Sequence, residues 1–135
     1  MTKIKLCGLS RPRDILAANQ LRPEYIGFVF APESKRYIAP KGAAELKELL
    51  DPNIQAVGVF VNETAETVAR LLNRGVIALA QLHGSEGRAS VDRLRMLPPT
   101  PILQAIRIAP VQAALRPAAR AAAHNLLAPG AAPRP

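Results

Sequence analysis

The residue whose type and place best suit chemistry is Cys7, the only cysteine among 135 residues. It closes the apolar run Ile4-Lys5-Leu6-Cys7 and is followed at once by Gly8. A thiol works as a nucleophile or a base only as the thiolate, which needs a cationic neighbour or a helix amino terminus, and Gly8 permits a turn tight enough for such groups to approach. A lone cysteine in an apolar run is otherwise a small buried hydrophobe. From the residues alone, both interpretations of Cys7 stay open.

Further polar groups follow later apolar runs. The loop Ser34-Lys35-Arg36 comes after the second run, Asn62 ends the third, and His83 ends the fourth within Gln81-Leu82-His83-Gly84. Asn62 is typical of a helix cap. The His83 imidazole either faces a pocket or bonds to neighbouring backbone. No His, Cys, Asp or Glu residues have metal-ligand spacing, so no metal and no cofactor is expected.

Short apolar runs alternate along the chain with helical patterns. The runs predict strands buried on both faces. These strands are Ile4 to Cys7, Tyr25 to Phe30, Ala56 to Val61, Ile77 to Leu82 and Ile102 to Ile106. The helices are expected after a Ser10 cap with Pro12 in the first turn, from Pro40 through Leu50, from Thr64 to Asn73 with Asn62 or Thr64 as cap and Gly75 past the end, and from Ser90 to Met96.

The order βαβαβαβαβ predicts a parallel sheet with right-handed crossovers. Two architectures remain open, a doubly wound sheet and a β/α barrel, and both place their active sites at the carboxyl ends of the strands. No GxGxxG or GxxxxGK[ST] pattern follows a strand, which weakens the nucleotide-binding form of the open sheet. The polar residues at the strand ends therefore stand where an active site is expected.

Charge and composition narrow the functional classes. The formal net charge is +8, which suits an anionic partner such as a small phosphorylated or carboxylated substrate. Nucleic acid is not expected as a partner, because basic runs, helix-turn-helix, zinc and RNP patterns are all missing from the sequence. No apolar run approaches the length of a membrane span, and a single cysteine without a signal-like leader favours a reducing cytoplasm.

Six segments, in this order and spacing, resemble the landmarks of the phosphoribosylanthranilate isomerases, the β/α-barrel enzymes of tryptophan biosynthesis. They are Lys5-Leu6-Cys7-Gly8-Leu9, Gly27-Phe28-Val29-Phe30, Ser34-Lys35-Arg36-Tyr37, Val57-Gly58-Val59-Phe60-Val61-Asn62, Gln81-Leu82-His83-Gly84-Ser85-Glu86 and Gln104-Ala105-Ile106-Arg107. The resemblance covers residues 3–108. It implies an Amadori rearrangement, in which N-(5-phosphoribosyl)anthranilate becomes 1-(2-carboxyphenylamino)-1-deoxyribulose 5-phosphate, an open-chain amino-ketose phosphate.

Three residues are candidates for roles in this reaction. Cys7 would be the general base that removes the C2′ proton of a Schiff base. Arg36 would bind the anthranilate carboxylate, since a guanidinium can grip a carboxylate with two parallel hydrogen bonds. His83 would contact the substrate. The family pattern usually has Ser-Pro-Arg where this chain has Ser34-Lys35-Arg36, so the stiffness of this loop is expected to differ.

The resemblance ends after Ile108, and residues 109–135 are dominated by Ala, Pro and Arg. A helix is expected from Val111 to Leu127 and disorder from Pro129. The family's general acid, an aspartate at the end of the sixth strand, and its glycine-rich phosphate turns have no counterpart in this segment. We expect a partial (β/α)8 barrel over residues 1–108, with about five parallel strands, and a separate tail.

In this form, truncated or frame-shifted, the chain is expected to be weakly active or inactive as an isomerase. The alternatives are a non-catalytic barrel fragment that associates with a partner through its open sheet edge, and a basic protein associated with nucleic acid or the ribosome.

Overall fold

The computed structural model describes residues 1–97 and 101–106, in which five strands alternate with four helices. The strands are β1 (Lys5–Cys7), β2 (Tyr25–Val29), β3 (Gln55–Phe60), β4 (Leu79–Leu82) and β5 (Ile102–Gln104). The helices are α1 (Pro12–Leu21), α2 (Pro40–Leu49), α3 (Ala65–Asn73) and α4 (Arg88–Arg95). The predicted alternation of strand and helix is confirmed.

The strands form one parallel sheet in the order β1-β2-β3-β4-β5. In the register, Cys7 lies beside Gly27, Gly27 beside Val57, and Val57 beside Leu79. A doubly wound sheet reverses its strand order at a switch point, whereas here each strand pairs with the next one along the chain. The topology is that of consecutive units in the wall of a β/α barrel, with every strand's carboxyl end at one edge.

The two faces of the sheet differ in what covers them. On one face, buried strand residues join buried helix residues in a single apolar cluster, which includes Ile26, Phe28, Phe60, Ala80, Ile15, Leu46 and Val68. On the other face, Val29, Ala31 and Val59 form a separate small cluster to which no described helix contributes. We call this second surface, which carries Cys7, Gly27 and Gln81, the inner face. Packing against the helices therefore stabilises the sheet through one face. No described helix covers the inner face.

Two of the predicted helix boundaries are confirmed. Helix α2 begins at Pro40, whose fixed φ and missing N–H suit the first turn. Helix α3 is capped by Thr64, whose Oγ1 accepts a hydrogen bond from the amide of Thr67 at 3.3 Å. Its other end turns at Gly75, with φ of +70°, and the amide of Val76 bonds to the carbonyl of Leu71 at 3.1 Å.

The prediction that Ser10 caps α1 is wrong. The capping position is Arg11, and the Asp14 carboxylate accepts hydrogen bonds from the amides of both Ser10 and Arg11, at 3.2 and 3.1 Å. Asp14 thus satisfies the amides at the start of the helix, and its charge suits the positive end of the helix dipole. The Ser10 hydroxyl is not needed for this role.

Smaller differences concern element ends. Strand β3 ends at Phe60 rather than Val61, β4 begins at Leu79 rather than Ile77, and α4 begins at Arg88 rather than Ser90. The predicted boundary at residue 108, the helix from Val111 to Leu127 and the disordered end lie outside the described residues.

The capping by Asp14 generates a prediction about stability. The Arg11 side chain, hydrogen-bonded to Asp14, lowers the pKa of the Asp14 carboxyl below 3.8, and the Ser10 amide lowers it further. A carboxyl with a lowered folded-state pKa stabilises the fold above the unfolded pKa and loses that contribution as the pH falls through the folded value. Asp14→Ala should lower the free energy of unfolding by about 1 kcal/mol at pH 7. The difference in the free energy of unfolding between the variant and the unsubstituted chain should shrink below pH 3.8.

Urea unfolding at pH 7 and pH 3 measures this effect, with Glu45→Ala, an exposed position on α2, as the matched control. A loss for Asp14→Ala that is the same at both pH values would contradict the assigned role.

Candidate functional site

The site is built around the junction of β1 and β2. Cys7 is exposed at the carboxyl end of β1. A Cβ atom built on the neighbouring Gly27 would lie only 2.7 Å from the Cys7 Sγ, so the thiol occupies space that a side chain at position 27 would fill. Because Gly27 has no side chain, the Cys7 thiol lies across β2 on the inner face.

The turn that follows Cys7 depends on glycine. Gly8 has φ of +87°, in the left-handed region, and its amide bonds to the Gly27 carbonyl at 2.9 Å. The amide of Leu9 bonds to the same carbonyl at 3.2 Å. This fork of two amides ties the end of β1 to β2 and sets the direction in which Cys7 points.

Arg36 reaches this turn from the loop after β2. Its Nη1 donates a hydrogen bond to the Cys7 carbonyl oxygen at 3.3 Å. Its side chain crosses Gly8 so closely that a Cβ there would lie 2.4 Å from the Arg36 Cδ. The structure therefore brings two of the residues singled out in the sequence, Cys7 and Arg36, into one site.

The loop that carries Arg36 is ordered by short-range hydrogen bonds. The Ser34 amide bonds to the Ala31 carbonyl at 3.0 Å, and the Tyr37 amide bonds to the Ser34 carbonyl at 3.1 Å. The Ser34 hydroxyl also accepts a hydrogen bond from the Arg36 amide at 3.1 Å. Lys35, which stands where the family usually has proline, is exposed. Ser34 supplies local order at this point of the loop.

His83 lies at the same edge of the sheet but three strands away from Cys7. It is exposed, follows β4 directly, and its amide bonds to the Phe60 carbonyl at 2.8 Å. Alternation along the strand puts His83 on the inner face with Gln81. Among the described residues, no hydrogen bond joins its imidazole to Cys7 or Arg36.

A polar contact across the inner face was not predicted from the sequence. The Lys5 ammonium, on β1, donates a hydrogen bond to the Gln81 Oε1, on β4. The Lys5 Cε lies 3.1 Å from a Cβ built on Gly27, so the Lys5 chain passes across β2 beside the Cys7 thiol. The signal in the sequence was a lysine and a glutamine inside otherwise apolar strands.

A second unpredicted group joins the ends of β3 and β4. Glu86 accepts hydrogen bonds from the amides of Asn62, at 2.6 Å, and Gly84, at 2.8 Å. The Asn62 Oδ1 accepts from the Ser85 amide at 3.0 Å. Asn62 therefore bonds to the next strand's turn, and the alternative that it caps α3 is wrong because Thr64 does so.

Residues 1–97 and 101–106 lack the features of two other kinds of site. No group of three or more His, Cys, Asp or Glu side chains in these ranges could hold a metal ion. Nor does any helix in the same ranges have the length and hydropathy needed to cross a membrane.

Comparison with known proteins agrees with the sequence resemblance. A profile of the family described as N-(5'phosphoribosyl)anthranilate (PRA) isomerase matches residues 4–127, which extends past the segment 3–108. The N-(5'-phosphoribosyl)anthranilate isomerase of Lachnoclostridium phytofermentans is 43% identical over 110 residues, covering 82% of this chain and 50% of the relative. The chain thus spans about half the length of the curated relatives it matches.

Two solved structures confirm the partial β/α-barrel fold. The phosphoribosyl anthranilate isomerase from Thermus thermophilus superposes with a TM-score of 0.71 at 35% identity, over 86% of this chain and 56% of that one. A phosphoribosyl anthranilate isomerase in complex with reduced 1-(o-carboxyphenylamino)-1-deoxyribulose 5-phosphate superposes with a TM-score of 0.74 at 31% identity. The superposition covers 81% of this chain and 55% of that one.

The close contact between Gly8 and Arg36 generates a prediction. Gly8→Ala and Gly75→Ala should each cost about 1–2 kcal/mol of stability, because both put a side chain in the left-handed region. A Cβ at Gly75 meets nothing within 4 Å, so only Gly8→Ala should move the Arg36 guanidinium off the Cys7 carbonyl. The readout is the NMR resonance of the Arg36 Nε–H group, assigned by its loss in Arg36→Lys.

We expect a shifted resonance in Gly8→Ala and an unchanged one in Gly75→Ala. An unchanged resonance in both variants would show that Arg36 does not lie across Gly8.

Proposed function

Because this chain belongs to the N-(5'-phosphoribosyl)anthranilate isomerase family, we propose that its described residues supply the proton-abstracting and carboxylate-binding side of such an isomerase. The substrate is N-(5-phosphoribosyl)anthranilate and the reaction is an Amadori rearrangement. The observation that carries the proposal is the meeting of Arg36 and Cys7, with Arg36 Nη1 3.3 Å from the Cys7 carbonyl oxygen.

Cys7 is proposed as the base of this reaction. After the ribose ring opens to a Schiff base, the thiolate takes the C2′ proton, the electrons of the C2′–H bond form a C1′–C2′ double bond, and the imine electrons pass to nitrogen. The exposure of Cys7 at the strand end supports this role, since an inert structural cysteine is normally buried. The exposure of Cys7 favours this role over that of a small buried hydrophobe.

Arg36 is proposed to hold the anthranilate carboxylate. A guanidinium has five N–H donors in a rigid plane, so it can bond to the Cys7 carbonyl and still present a pair of donors to a carboxylate. A carboxylate bound there would put the anthranilate nitrogen, and the sugar carbons attached to it, beside Cys7. The solved relative that contains a reduced carboxyphenylamino deoxyribulose phosphate is consistent with this class of ligand.

His83 is proposed as a further substrate contact, because it lies at the same sheet edge and on the inner face with Cys7. The family resemblance assigns the general acid that opens the ring to an aspartate at the end of a sixth strand, for which residues 109–135 offer no counterpart. The proposal therefore covers proton removal and substrate binding by Cys7, Arg36 and His83.

We also infer a cytoplasmic location from the biosynthetic family and the single free cysteine. Association with a partner through the open sheet edge remains a prediction.

The proposal can be tested through the single thiol, because alkylation of the chain by iodoacetamide reports on Cys7 alone. Reduced 1-(o-carboxyphenylamino)-1-deoxyribulose 5-phosphate should slow this alkylation in a saturable way. Arg36→Ala should raise the ligand concentration needed for half-protection by about 10- to 100-fold, the effect of losing a charged hydrogen-bonded pair. Mass spectrometry follows the reaction.

Arg70→Ala, which removes an exposed arginine on α3, is the matched control and should leave protection unchanged. If the ligand fails to protect Cys7, or protects the Arg36→Ala variant equally well, the proposed site is wrong.

A further inference from the structure

The turn after β4, which carries His83, is fixed on both sides of that residue. The His83 amide bonds to the Phe60 carbonyl at 2.8 Å, and the amide of the next residue, Gly84, bonds to the Glu86 carboxylate at 2.8 Å. Just before His83, the Leu82 carbonyl accepts a bond from the Ala105 amide at 2.8 Å. An exposed imidazole thus sits on a backbone held at three consecutive residues.

The Glu86 carboxylate bonds to the turns that follow two neighbouring strands. Glu86 uses Oε1 for the amide of Asn62, after β3, and Oε2 for the amide of Gly84, after β4. Hydrogen bonds from backbone amides to an ionised carboxylate are about twice as strong as neutral ones. Glu86 therefore ties together the turns that follow β3 and β4, and His83 belongs to the second of them.

The geometry of Asn62 and Gly84 is adapted to this contact. Asn62 adopts φ of +51°, which directs its amide to Glu86, and asparagine tolerates this region better than most residues. A Cβ on Gly84 would lie 2.7 Å from the Asn62 Oδ1 and 2.8 Å from the Asn62 nitrogen. The two turns approach so closely that only glycine fits at position 84.

We propose that Glu86 is a positioning residue for substrate binding, which acts by holding the His83 imidazole in place. The inference rests on the proposed function, because it assumes that His83 contacts the substrate. The bond from the Asn62 amide to Glu86 is exposed, and the bond from the Gly84 amide is partly buried. Their consequence is a preorganised turn, and preorganisation lowers the entropy cost of binding.

The test is a double-mutant cycle on the binding of reduced 1-(o-carboxyphenylamino)-1-deoxyribulose 5-phosphate to the full chain, measured by calorimetry. Glu86→Ala should weaken binding by about 5- to 10-fold, the effect of one net hydrogen bond. In a His83→Ala background the same substitution should change binding by less than about twofold, because its effect passes through His83. Glu86→Gln, which keeps one acceptor oxygen, should have an affinity for the ligand between those of the unsubstituted chain and Glu86→Ala.

Two further variants separate positioning from folding. Gly84→Ala pushes the Asn62 turn away and should reproduce the loss caused by Glu86→Ala. Glu48→Ala, at an exposed position on α2, is the matched control and should bind as the unsubstituted chain does. Thermal unfolding of each variant shows whether loss of binding follows loss of stability.

The positioning role is wrong if Glu86→Ala binds normally, if it costs the same affinity with and without His83, or if its binding loss follows its unfolding temperature. Failure of the proposed function looks different. In that case the unsubstituted chain does not bind the ligand, or Arg36→Ala leaves the binding unchanged. The positioning role of Glu86 would then be wrong as well.

Discussion

The candidate site depends on the carbonyl of Gly27, which accepts hydrogen bonds from the amides of both Gly8 and Leu9. This fork fixes the end of β1 against β2 at the point where the chain must turn. Because neither Gly8 nor Gly27 has a side chain, the space above the fork is filled instead by the Cys7 thiol and the Arg36 guanidinium. A larger residue at either position would push one of these groups out of the site.

The division of the sheet into two faces explains how such an exposed site is supported. The aromatic and aliphatic residues that point toward the helices supply the burial that stabilises the sheet. The inner face carries polar side chains inside its strands, and Lys5 donates a hydrogen bond to Gln81 there. At the carboxyl edge, glycines allow close approach between neighbouring turns. Polar groups that follow four strands therefore lie at one edge of the sheet.

Much of this arrangement could be predicted from the sequence. The alternation of apolar runs and helical patterns predicted the parallel sheet. The family resemblance predicted that Cys7 and Arg36 belong to one site. The strand order, which decides between an open sheet and a barrel wall, depends on pairing between distant segments and could not be derived from local patterns. The Ser10 cap failed because serine's preference for capping was outweighed by a carboxylate four residues later, which reaches two amides. The contact between Lys5 and Gln81, 76 residues apart, and the Glu86 contacts needed the three-dimensional register.

The central claim is that Cys7 removes the substrate proton in an isomerase site that this chain helps to form. The most direct measurement follows the loss of phosphoribosyl anthranilate fluorescence. The chain is assayed alone and with an equimolar carboxyl-terminal half of a solved relative, which supplies the sixth strand. We expect turnover in the combined preparation, reduced about 10²- to 10⁴-fold by Cys7→Ala. Equal turnover with and without the thiol, or background rates in both preparations, would contradict the account.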